Sequence, residues 1–469
     1  MTRTALPRAL HPFATGQYRL LAGALSLSLF GTGVWLVAVV FQVFALDGTP
    51  VDLSFVATGG GLGLVLAVLV GGVVADRVPQ RRILATIETV KALAMAAIAV
   101  LSLTGTIQLW HLAVLSLLLG AADGFFYPAY SAWLPALLPA DDLLAANGIE
   151  GVLRPAVMQA AGPAAAAGAI SLLSPGLAFA IVAAAQALAT VLLVAMRQTA
   201  VRREVDEDAP AQHPLRALWG DLREGVRYML VTRWLLVTLL YSCLLVLVIM
   251  GPIEVLLPFA VRDQAGGGEG AFALALAAFG VGGAVGSIVV ASLPLPRRYL
   301  TIMLAAWGFG CGPLALIGVT DQLWLMVAAL FVCGVLFSGA GVVWGTLLQR
   351  RVPPAMLGRV SSLDFFVSLA LMPVSMAIAG PVGELIGIPV AFIAAGVIPV
   401  VLAAITLLTA RLGADELAHP LDPQPSADDD LPAEVTGVGV SLGLQPPVDE
   451  ALPGTTTGRP GEPDRPAEE

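Results

Sequence analysis

Apolar residues gather into long runs separated by short polar breaks, at about 20–44, 54–75, 83–104, 110–130, 149–172, 177–196, 234–257, 271–292, 299–319, 323–345, 361–385 and 389–411. A helical run of about 20 residues is long enough to cross a hydrocarbon layer of about 30 Å. The pattern therefore predicts an all-α membrane protein with twelve transmembrane helices. In the second run Gly59, Gly63, Ala67, Gly71 and Ala75 recur every four residues, giving a face on which a neighbouring backbone can approach closely.

The pattern also repeats. Residues 137–150, LLPADDLLAANGIE, can be laid on 351–364, RVPPAMLGRVSSLD, at an offset of 214, which pairs Pro139 with Pro353 and Glu150 with Asp364. An offset of 216 brings Arg81 and Arg82 onto Arg297 and Arg298, while Asp76 falls on Ser292. Two pseudo-symmetric six-helix halves follow, 20–196 and 234–412, with substrate expected between them near the midplane. In the linker 197–233, Leu215, Leu218, Trp219, Leu222, Val226 and Met229 recur at helical spacing, and Arg216, Asp221, Arg223, Glu224 and Arg227 take other faces. That reads as an amphipathic helix lying at the membrane surface. Residues 1–19 are a polar, basic N-terminal segment. Residues 413–469, rich in Pro, Gly, Asp and Glu, read as a disordered acidic tail.

Composition narrows the class: 58% hydrophobic and 12% charged residues exclude an ordinary soluble domain. The formal net charge of −9 is concentrated in the tail, where 13 acidic residues face 2 basic ones from Gly413 onward. Basic residues set the orientation: 18 fall in the N-terminal segment and the breaks on its side, whereas the opposite breaks hold only Arg262. Both termini are therefore expected in the cytoplasm, in a multi-pass protein of the plasma membrane. Cys243, Cys311 and Cys333 all lie in apolar runs, and His11, His111, His213 and His419 share no ligand spacing, so neither a disulfide framework nor a metal site is expected. No zinc-protease, nucleophile-elbow or P-loop motif occurs. We expect no enzyme activity, no cofactor and no nucleic-acid partner.

Ionisable groups inside spans are costly and mark function. Glu88 and Lys91 lie in span 3 at i,i+3 spacing, where a mutual ion pair is expected. Asp123 in span 4 has no basic residue three or four positions away, so it must find a partner on another helix, meet water or be protonated. Asp123 and Glu88 are the proton-coupling candidates. Glu150 and Arg154 open span 5 at i,i+4 spacing, and Asp364 is the counterpart in span 11, near Arg359. Glu254 and Glu384 read as weaker candidates, near the outer ends of spans 7 and 11. Trp110, Trp234 and Trp324 fall at span ends and read as interfacial belt residues, whereas Trp35 and Trp307 lie deeper.

One turn concentrates charge. Residues 72–82 read GVVADRVPQRR, with Gly72, Asp76, Arg77, Arg81 and Arg82 between two apolar runs. This spacing resembles the signature loop between spans 2 and 3 of the major facilitator superfamily, with Pro79 where that family usually has a second glycine. The resemblance implies a latch. Asp76 would face the start of span 11 and the arginines would hold the halves closed on the cytoplasmic side. On our own reading the carboxylates Glu150, beside Arg154, and Asp364 exchange partners with Arg77, Arg81 or Arg359 as the halves rock. In span 5, AAGPAAAAG places Gly162 and Pro163 as the core of the motif that marks exporters in that superfamily, its other glycines being alanine here. Span 1 usually faces the cavity there, so Trp35, Gly162 and Pro163 are the substrate-cavity candidates. The superfamily's usual span 4 arginine aligns with Ser116, which puts its standard proton-coupling scheme in doubt.

WLPALLPADDLLAANG, DLREGVRYML and RRVPPAMLGRVSSL resemble the branch holding the enterobactin and macrolide exporters, and the similarity runs over most of residues 15 to 412. The reading that follows is a secondary transporter that exports small hydrophobic or amphipathic compounds by alternating access, with proton antiport, and we expect a monomer. Few charges within the spans argue against a highly charged substrate. Uptake of a neutral nutrient, or a scaffold or sensor that keeps the fold without transport, are the competing readings.

Overall fold

The computed structural model describes residues 8–75, 78–197, 214–410 and 412–421. Eleven of its helices are long and apolar enough to cross a membrane. Spans 1 to 4 are Gly16–Ala45, Pro50–Ala75, Gln80–Leu103 and Leu109–Leu137, and span 6 is Pro175–Ala195. The second half contains span 7, Arg233–Asp263, then span 8, Glu269–Ala291, span 9, Tyr299–Ile317, span 10, Leu323–Arg351, span 11 ending at Ile386, and span 12, Ile388–Thr409.

Span 5 is the twelfth segment. It is helical from Ala140 but changes character twice, as Ala140–Leu153, a π-helical stretch Arg154–Ala161, and Gly162–Leu172. Pro155 and Pro163 lack the N–H groups an α-helical ladder needs, and the wider turn between them accommodates that loss. The apolar run from 149 shows only its deeper part.

The small-residue stripe of span 2 packs on span 4. A Cβ at Gly59 would lie 2.7 Å from the Ala113 carbonyl, and one at Gly120 would collide with the backbone of Gly60. The second half repeats the arrangement: a Cβ at Gly334 would strike the Phe279 backbone, and one at Gly282 the Phe331 carbonyl. Gly120 and Gly334 are 214 positions apart, the offset seen in the sequence. Backbones this close gain dispersion contact along their whole length, which substitutes for a hydrophobic driving force that lipid does not supply.

The halves meet along spans 2 and 11 and along spans 5 and 8. Gly380 of span 11 donates its backbone N–H to Ser54 Oγ of span 2 at 2.7 Å, in a buried contact. At the same end, remote from the termini, Phe44 of span 1 meets Phe259 of span 7 edge to face at 4.9 Å between ring centroids. Arg262 covers both rings, its guanidinium carbon 4.2 Å and 5.0 Å from their centroids.

The terminus-bearing end carries two features that correct the sequence reading. A short helix, Leu412–Ala418, follows span 12, so the stretch read as disordered from Gly413 begins inside a helix. Glu416 is fully buried and accepts from the backbone N–H groups of Leu300 and Thr301 and from Thr301 Oγ1 at 2.8, 3.1 and 2.6 Å. Those are the free amides at the start of span 9, where a carboxylate is favoured. Asp415 pairs with Arg351 at 2.6 Å, and Arg351 stacks 4.6 Å from the ring of Trp234. Trp234 is accordingly buried rather than an interfacial belt residue, while Trp110 and Trp324 are exposed as expected. The linker helix, Pro214–Val231, packs on the first part of span 11.

Candidate substrate cavity

A cavity of about 200 Å³ lies between the halves, bounded by spans 1, 2, 3, 4, 6, 7 and 11. Its apolar wall includes Trp35, Leu64, Met95, Met372 and Met376. The polar groups on it are Lys91, Ser116, Asp123, Gln186 and Glu254, with Thr32. Trp35 is held against Phe179 of span 6, ring centroids 5.8 Å apart, and lines the cavity. Trp307 packs instead in the second half, against Phe337 and Trp344.

Lys91 and Asp123 form the charged heart of this wall. Lys91 Nζ lies 2.6 Å from Asp123 Oδ1 and 3.9 Å from Glu88 Oε1, so its close partner is on span 4 and not on its own helix. The expected Glu88–Lys91 pair is thus the weaker arm of a three-group cluster. The Lys91 side chain is 2% exposed and that of Asp123 47%, which places the ammonium in the wall and the carboxylate at the opening. Ser28 of span 1 donates to Glu88 Oε1 at 2.7 Å, and the other oxygen, Oε2, is buried with no hydrogen-bond partner among the described residues. A buried carboxylate oxygen without a donor is an expensive arrangement for an ionised group. Span 4 itself offers only Ser116 where an arginine might stand, and Lys91 of span 3 supplies the cation.

Glu254 was underrated by its position near the end of an apolar run. It lies in a π-helical stretch of span 7, Pro252–Leu256, and lines the cavity. Ser375 of span 11 explains the irregularity. Its hydroxyl accepts from the Gly251 N–H at 2.8 Å and donates to the Leu247 carbonyl at 2.6 Å, inserting itself into the bond those two groups would otherwise share. An inserted side chain followed by Pro252 loosens the ladder and re-aims the residues beyond it.

Gly162 and Pro163 are buried but do not line the cavity. A Cβ at Gly162 would lie 2.7 Å from Gly33 Cα, so this pair serves the contact of span 5 with span 1.

The latch residues are only partly visible. Asp76 and Arg77 lie outside the described residues, as do the side chain of Arg359 and any detail at Gly72 beyond its helical backbone. Arg81 donates to the carbonyls of Leu193, at 3.1 Å, and Val194, fastening span 3 to the end of span 6 within the first half. In this arrangement these contacts stay within the first half. Arg82 is exposed, Glu150 pairs with Arg154 at 2.9 Å, and Asp364 accepts from Trp344 Nε1 at 3.1 Å and from Ser368 at 3.3 Å.

A family model described as transmembrane secretion effector matches residues 8–443. The multidrug efflux pump Tap of Mycolicibacterium fortuitum is 26% identical over 405 residues, covering 83% of this chain and 94% of Tap. Macrolide efflux protein A of Streptococcus pyogenes is 22% identical over 389 residues, covering 82% of this chain and 94% of its own. The crystal structure of the nucleoside transporter NupG shares the fold, with a TM-score of 0.65 at 14% identity over 83% of this chain and 98% of NupG. The full set of spans, the cavity between two halves and a match over almost the whole chain agree: this is a multi-pass membrane transporter of the transmembrane secretion effector family, within the major facilitator superfamily.

Proposed function

We propose that this transporter exports small hydrophobic or amphipathic compounds from the cytoplasm across the plasma membrane, by alternating access and in exchange for protons. The observation that carries this reading is the cavity, whose walls are mostly apolar and whose one ion pair, Lys91–Asp123, keeps its carboxylate accessible. With the termini in the cytoplasm, Ser54–Gly380 and the Phe44–Phe259–Arg262 cluster close the outward side. Drug-sized pockets usually occupy about 300–1,000 Å³, so a cavity of about 200 Å³ must widen to load.

A proton arriving on Asp123 would end its hold on Lys91 and let the ammonium turn toward Glu88. Two arrangements of one buried cation are what coupling needs. Gly72, Asp76, Arg77, Arg81, Arg82, Glu150, Arg154, Arg359 and Asp364 would form the cytoplasmic gate. Efflux by Tap and macrolide efflux protein A supports the outward direction.

The test is the purified protein in vesicles with a pH gradient and an internal pH dye, given a panel of hydrophobic and amphipathic compounds. Compound-dependent proton movement, lost in Asp123→Asn, is expected. Compound flux indifferent to the gradient would overturn the proton exchange, and accumulation by intact cells instead of depletion would overturn export.

A further inference from the structure

Among the described residues, Glu254 is the charged group on the cavity wall that has no partner. The charged residues among the described lining are Lys91, Asp123 and Glu254. The first two neutralise each other at 2.6 Å, whereas Glu254 makes no hydrogen bond or ion pair with any described residue. It stands within the span Arg233–Asp263, nine positions before its end, and it lines the cavity. An ionised carboxylate in a mostly apolar cavity is costly unless a counter-charge arrives. The neighbouring wall suits such a partner: the Trp35 ring attracts cations through its face, and the thioethers of Met372 and Met376 are polarisable. An anionic cargo would meet the same carboxylate without compensation.

We infer that Glu254 is the counter-charge for the cargo, which makes the preferred compounds amphipathic monocations, an apolar body bearing one quaternary or protonated amine. This rests on the cavity being the transport path. Glu254 then discriminates among cargoes, and the Lys91–Asp123 pair across the cavity handles the proton. Because Ser375 of span 11 sets the irregular turn that presents Glu254, movement of span 11 against span 7 would also re-aim the carboxylate.

The test uses two probes of one shape, benzyltrimethylammonium and its uncharged isostere neopentylbenzene, both small enough for the cavity. Equilibrium binding to the purified full-length protein in detergent is measured for wild type, Glu254→Gln and Glu254→Asp. Wild type is expected to bind the cation about ten-fold more tightly than the isostere. Glu254→Gln should lose about that factor for the cation while binding neopentylbenzene as before, and Glu254→Asp should recover much of it. Equal affinity for the two probes in wild type overturns the inference. So does an equal loss for both in Glu254→Gln, since the carboxylate would then serve only the cavity's shape. Flux of the cation from loaded vesicles separates the two proposals: binding as expected with no flux leaves the site standing and removes the export reading.

Discussion

Lys91 Nζ of span 3 lies 2.6 Å from Asp123 Oδ1 of span 4, a single ion pair that ties two spans together at the cavity wall. Removing one partner of a buried pair costs about 3–5 kcal/mol, because the other charge is stranded, whereas replacing both with apolar groups is often neutral. Asp123 is half exposed to the cavity, so the lower part of that range applies to Asp123→Asn. We expect Asp123→Asn and Lys91→Met each to lower the thermal midpoint in detergent. The double variant Lys91→Met/Asp123→Leu should regain part of that stability, less whatever the buried Glu88 loses with Lys91, and should lack proton-linked transport. A double variant as unstable as either single one would show that the pair contributes more than mutual neutralisation.

Close backbone approach makes the second prediction. A Cβ at Gly120 would collide with the Gly60 backbone, which cannot move aside as a flexible side chain could. Overpacking typically costs about 1–3 kcal/mol, and a backbone collision lies at the upper end. Gly120→Ala should reduce the yield of folded protein and its thermal midpoint. Gly341→Ala, where nothing stands within 4 Å, should be neutral or slightly stabilising.

These two cases show what the sequence could and could not reveal. The stripe Gly59, Gly63, Ala67, Gly71 was legible because helical spacing fixes which residues share a face, and the 214-residue offset that relates Gly120 to Gly334 was visible as repetition. Asp123 was recognisable as needing a partner on another helix, water or a proton. That the partner is Lys91 was not, since pairing between helices depends on their rotation and depth. Glu254 ranked only as a weaker candidate for a related reason: its place on the cavity wall depends on an irregular turn created by Ser375, 121 positions later in the chain. A local signal existed in Gly251–Pro252, where a proline interrupts the span. The docking of Glu416 was hidden by composition, because a short helix at the head of an acidic, proline-rich stretch has no apolar pattern of its own.

Glu416 makes the third prediction. It satisfies two free amides and a hydroxyl at the start of span 9, in a fully buried place. Charge-assisted bonds of this kind contribute about 1.5–3 kcal/mol each way they are lost, and the helix start adds a favourable dipole. Glu416→Ala should lower the thermal midpoint clearly. Glu416→Gln should fall between, since the amide oxygen still accepts but carries no charge. No change in either variant would mean that span 9 is capped by water equally well.

The last prediction concerns the closed end of the bundle. Ser54 Oγ accepts the Gly380 N–H at 2.7 Å where spans 2 and 11 cross, and a Cβ at Gly380 would press on the Pro50 carbonyl. A neutral hydrogen bond contributes about 1 kcal/mol, roughly a five-fold change in an equilibrium between two states. Ser54→Ala should therefore shift the population modestly toward opening at this end. Gly380→Leu should shift it strongly, because the wedge is incompatible with closure but leaves each half intact. The readout is the rate at which a membrane-impermeant thiol reagent labels Trp35→Cys in right-side-out vesicles, on a background lacking Cys243, Cys311 and Cys333. Labelling should rise about five-fold with Ser54→Ala and further with Gly380→Leu. Slower labelling in Gly380→Leu would mean that the Ser54–Gly380 contact belongs to the open arrangement, which would reverse the assignment of the two ends.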